Sequence, residues 1–132
     1  MSKIKMLHEK DPKQVILNEV GDALEDLVVL NTQVLVAVYV RPEKTYGGIV
    51  LPGEHRDEDK YQGKVGMILK KGPTAFVEGP DGKWFGKEKF DELQWVIFRP
   101  SDGWPIEVNG VLCRMFDDVS VKMKTRNPDK VR

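Results

Sequence analysis

Few side chains in this sequence could do chemistry. Nucleophilic catalysis needs a Ser or Cys beside a base and an orienting group, and the chain offers one cysteine, Cys113, and two histidines, His8 and His55. Cys113 lies in the run VLCRMF, Val111 to Phe116, and reads as a small core side chain or a neutral strand residue. His8 stands near the start and His55 in a charged stretch, where a lone imidazole is a solvated residue. The same inventory excludes a disulfide scaffold and a zinc-finger site. Asp57, Glu58 and Asp59 are consecutive, so in extended chain they point to opposite sides, and the alternating ligands and later Glu of a calcium loop are missing. Arg56 and Lys60 bracket them as a solvated flank. Neither Gly47-Gly48 nor Gly63-Lys64-Val65-Gly66 has the spacing of a phosphate-cradling loop. Trp84, Trp95 and Trp104 read as core or interface rings. The sequence predicts no enzyme, no cofactor and no metal.

What remains is Gly47-Gly48-Ile49-Val50-Leu51-Pro52, an aliphatic triplet behind paired glycines within the polar, charged segment from Pro42 to Gln62. Loops of that length inside a compact domain are usually functional or mobile. Three aliphatics held on such a tether read as a partner site, because folded proteins do not normally leave an apolar patch unused. The alternative is that Ile49 to Leu51 form a short edge strand.

The elements that must carry this segment are mainly β. With 132 residues, 32% charged, 40% hydrophobic and a formal net charge of zero, the chain reads as one globular domain with a core of its own. Zero net charge argues against a protein that works by neutralising phosphate. The charge is uneven: Glu19, Asp22, Glu25 and Asp26 cluster early, and Lys122, Lys124, Arg126, Lys130 and Arg132 stand against Asp129 late. No stretch is long and apolar enough for a membrane span, and MSKIKMLHEK lacks a hydrophobic signal region, so the expected location is the cytoplasm, with no membrane or nucleic-acid partner. Asp11 as N-cap, Pro12 at the first position, and Ile16, Val20, Leu24 and Leu27 on one stripe predict a helix from Asp11 to Leu30, weakened at Gly21. QVLVAVYV, Gln33 to Val40, predicts a strand buried on both faces. Further strands are predicted at Lys64 to Leu69, Trp95 to Phe98, Ile106 to Val108, Val111 to Phe116 and Val119 to Met123. A hairpin is predicted with arms Thr74 to Val77 and Lys83 to Gly86. Short strands at this spacing favour a small β-barrel or a sandwich.

Taken together, QVLVAVYV, a loop with GGIVLPG, a strand opening YQGKVGMIL, a hairpin, WVIF before a DGW turn, and a final VLCRMFDDVSVKM resemble the GroES-type co-chaperonins over residues 31 to 123. The resemblance implies a GroES-like β-barrel with mobile loop 42–62 and a roof hairpin in 72–94, while a partly helical N-terminal extension over 1–30 and a basic tail over 124–132 depart from the family pattern. It implies that Ile49, Val50 and Leu51 are the chaperonin-binding side chains and that Gly47 and Gly48 give the loop its freedom. The partner would be a nucleotide-bound GroEL-type chaperonin, with an unfolded substrate protein inside the cage and this chain as a homo-oligomer, a heptameric ring. Trp104 corresponds to an aromatic position that faces the folding cage; core burial is the other reading. The long extension, the aromatic hairpin region and the tail look most like phage-encoded members, which help the host chaperonin fold a capsid protein in the host cytoplasm. The alternative function is a virion or other assembly protein built on the same barrel. A zinc alcohol dehydrogenase domain is excluded, since the cysteine ligands and the dinucleotide-binding half are missing.

Overall fold

The computed structural model describes residues 11–40, 63–80, 85–86 and 88–131. Helix α1 spans Pro12–Val20, where the Asp11 carboxylate accepts the Lys13 N–H at 3.0 Å and Pro12 opens the first turn without needing a donor. The helix does not run to Leu30. Gly21, at φ 52°, takes a backbone conformation that other residues reach only with strain; it ends the α ladder, and its N–H returns to the Leu17 carbonyl. A 3₁₀ turn follows over Gly21–Asp26, and Leu27 is already extended.

Six strands follow: β1 (Gln33–Val38), β2 (Val65–Lys71), β3 (Trp95–Phe98), β4 (Trp104–Val108), β5 (Val111–Asp117) and β6 (Val121–Thr125). They form one sheet in the order β4-β5-β1-β2-β3-β6, and each adjacent pair is antiparallel. The fold is therefore mainly β with one short helix. Among the described residues β4 and β6 are edges, and the hydrogen bonding does not close into a barrel.

Both faces of the sheet are covered, which is why β1 is apolar at consecutive positions. On one face Leu35, Ala37, Met67, Trp95 and Cys113 pack beneath Ile16 and Val20 of α1. On the other, Val34, Val36, Ile68, Val96, Phe98 and Phe116 form a second core. Phe98 on β3 and Phe116 on β5 lie three strand spacings apart, about 14 Å in a flat sheet. Their ring centroids are 5.0 Å apart, so the sheet curls strongly around this second core. Gly66 makes room for the curl: a Cβ there would stand 2.2 Å from Val36 Cγ1 and 3.1 Å from the Phe98 ring.

The expected hairpin arm Thr74–Val77 is not a strand. Residues 73–76 turn, with the Ala75 N–H on the Gly72 carbonyl at 3.1 Å and Phe76 at φ 60°. The cause is tertiary: the buried carboxylate of Asp118 accepts the Phe76 N–H at 2.8 Å, and the Phe76 ring stacks on Phe90 with centroids 4.6 Å apart. The second expected arm lies largely outside the described residues. The hairpin that does form joins β4 to β5, where Asn109 (φ 50°) and Gly110 (φ 83°) make the two-residue turn that the Asn-Gly pair favours.

Candidate functional site

Gly47, Gly48, Ile49, Val50 and Leu51 lie outside the described residues, but the roots of their segment do not. β1 leads into it and β2 leaves it, and these strands pair, with Val38 opposite Gly66. The Tyr39 N–H extends that ladder to the Val65 carbonyl at 2.9 Å, and the Phe98 N–H holds the Lys64 carbonyl at 2.9 Å. Both ends of the 41–62 segment thus leave from one point. Tyr39 is buried, with its ring set edge-on to Trp95 at 5.3 Å and its hydroxyl donating to the Asp129 carboxylate. Asp129 belongs to a 3₁₀ turn, Pro128–Lys130, that Asn127 caps by accepting the Asp129 N–H at 3.0 Å. Asn127 and Pro128 are buried and Asp129 holds Tyr39, so residues 127–129 pack in although the charges around them read as a tail. The Asn-Pro pair at 127–128 is the turn signal that could have shown this.

Trp104 is the expected site residue that the structure does describe. It opens edge strand β4 opposite Met115 and is 54% exposed, so core burial is not its place. Its mount is stiff. The Arg99 guanidinium donates twice to the Asp102 carboxylate, at 3.0 and 3.1 Å, and Arg114 donates to the Pro100 carbonyl at 3.2 Å. Gly103 is needed for the turn to sit on β5, since a Cβ there would lie 2.8 Å from the Met115 carbonyl. A large ring is held out on a fixed corner. Of the other tryptophans, Trp95 is core and Trp84 lies outside the described residues.

Cys113 is fully buried, and loss of solvent pushes its thiol up to about 12, against a smaller lowering by a backbone hydrogen bond at Val108. A thiol so shifted is a packing group and not a nucleophile at neutral pH. Among the described residues no cluster of three His, Cys, Asp or Glu could hold a metal, and no helix is long and apolar enough to cross a membrane. His8, His55 and Asp57 to Asp59 lie outside the described residues. The loop root, tied by the β1–β2 pair, and the exposed Trp104 are the parts of the expected site that the described residues carry. Comparison with models of known families and with curated proteins finds no match for this chain.

Proposed function

We propose that this protein is a non-enzymatic co-chaperonin that caps a GroEL-type chaperonin in a nucleotide-dependent way and assists the folding of a substrate protein, such as a phage capsid protein. The observation that carries the reading is the GGIVL motif within a segment whose two ends are pinned side by side to a buried antiparallel pair. Ile49, Val50 and Leu51 are the chaperonin-binding side chains, and Gly47 and Gly48 allow the backbone to adapt.

The GroES-like character of the fold belongs to the same proposal. Support comes from the strand succession on either side of the loop and from the curl that brings Phe98 and Phe116 together. The exposed Trp104 is assigned to the cage-facing surface, where it meets trapped substrate. The working form is a heptameric ring in the cytoplasm, with hydrolysis left to the chaperonin.

A pull-down with purified chaperonin and ATP or ADP tests the reading. The wild-type chain is captured only with nucleotide, and Ile49→Ser and Leu51→Ser variants are lost from the bound fraction. No capture of the wild type sinks the proposal and leaves the assembly-protein alternative, in which the same segment is a fixed arm between subunits.

A further inference from the structure

Where β3 pairs with β6, an open groove of about 520 Å³ is lined by these strand ends and by the start of α1. Lys13 lines it from the helix, Gln94 and Trp95 from the start of β3, and Lys124, Thr125 and Arg126 from the end of β6. Glu88 is the one carboxylate among the described lining residues. Its charge is already matched, because the Lys124 ammonium sits 2.7 Å from it and also holds the Lys89 carbonyl and the Phe90 ring. Thr125 is occupied as well, since its hydroxyl bonds Asn127 both ways. Three groups are left over. The side chains of Lys13 and Arg126 have no partner among the described residues, in a chain whose acids and bases balance. The Gln94 carbonyl oxygen takes the Asp91 N–H at 3.1 Å, which leaves its amide NH₂ free to donate.

We propose that this groove binds a small soluble phosphoryl anion. Two unneutralised cations in one concavity concentrate a positive potential there, and together they match the charge of a phosphoryl dianion. The free donors come from three separate places, α1, the start of β3 and the residue after β6. Approach from several directions suits the tetrahedral oxygens of a phosphoryl group better than a planar carboxylate, and the Arg126 fork can take two of those oxygens at once. Lys124, already paired with Glu88, lines the same groove. The chain has no phosphate-loop motif, so side chains from distant parts of the sequence make this site.

The test is a titration of the full chain with inorganic pyrophosphate, followed by nuclear magnetic resonance. Saturable one-site binding is expected, with shifts centred on Lys13, Gln94, Thr125 and Arg126. Lys13→Ala and Arg126→Ala each weaken it about tenfold or more, the loss expected for one charge-assisted hydrogen bond. Lys122→Ala, an exposed lysine on β6 outside the groove, leaves it unchanged. Glu88→Gln tightens binding, a gain that misfolding cannot imitate. Unsaturable binding, equal weakening in Lys122→Ala, no gain in Glu88→Gln, or citrate binding as tightly as pyrophosphate each overturns the assignment. None of these outcomes depends on the chaperonin or on residues 47 to 51, so this site and the proposed co-chaperonin activity stand or fall separately.

Discussion

Cys113 offers the sharpest test at the scale of one residue. Burial keeps its thiol neutral up to about pH 12, whereas the unfolded chain ionises near the ordinary value of 9.0. Between those values the unfolded state holds fewer protons than the folded one, so stability falls as pH rises, and below about 9 the contribution is fully present. Chemical denaturation at a series of alkaline pH values should show this slope in the wild type and a shallower one in Cys113→Ala. A thiol reagent at pH 8 should label the native chain only as fast as it unfolds. The sequence left Cys113 as a small core side chain or a neutral strand residue, and its full burial decides for the core although Arg114 stands beside it. The sequence did not decide the place of Trp104, since SDGW has the same composition whether its ring turns in or out. The decision came from contacts distant in sequence, Arg114 to the Pro100 carbonyl and Gly103 against β5.

At the scale of elements, the strands were legible, whereas the helix end and the turn at 73–76 were not. QVLVAVYV and WVIF carry β-branched and aromatic side chains that suit a sheet covered on both faces, and β1 and β3 fall within those runs. The helix was read too long because the stripe of Leu24 and Leu27 continues the spacing of Ile16 and Val20. One backbone angle at Gly21 ends the α-helix although Leu24 and Leu27 still pack on the same core, and the Lys70 ammonium then holds the Leu27 carbonyl at 2.6 Å in extended chain. The missing hairpin arm has the same kind of cause, since Phe76 is set by Asp118, 42 residues away. The docking of α1 depends on another distant bond: the Asn109 amide donates to the Glu19 carbonyl at 2.8 Å, at the helix end where carbonyls lack partners. Asn109→Gly keeps the positive-φ turn and removes this bond together with the longer one to the Val20 carbonyl at 3.5 Å, for a loss of about 1 kcal/mol. Asn109→Ala adds backbone strain of about 1 kcal/mol or more. Hydrogen exchange should show α1 losing protection in both variants, with the β4–β5 turn loosened only in Asn109→Ala; unchanged exchange in α1 would mean that the helix is held by Ile16 and Val20 alone.

For the whole molecule, the proposed activity turns on how little one loop can do. Burying Ile49, Val50 and Leu51 gains about 1.5 to 3 kcal/mol each, while ordering the backbone costs about 1 to 2 kcal/mol for every residue fixed. The terms nearly cancel, so a single copy binds weakly, and useful affinity requires several loops on one ring, where each bound loop raises the effective concentration of the next. Two measurements follow. Sedimentation of the free protein should give a mass near seven times the 15.1 kDa of one chain, and a monomer at micromolar concentration would remove the ring from the proposal. Rings assembled from mixtures of wild-type and Leu51→Ser chains should then lose chaperonin capture faster than in proportion to the variant fraction, because each defective loop weakens its neighbours' hold as well as its own. A strictly proportional loss would mean that each chain binds on its own, and multivalency would then have no part in the cap.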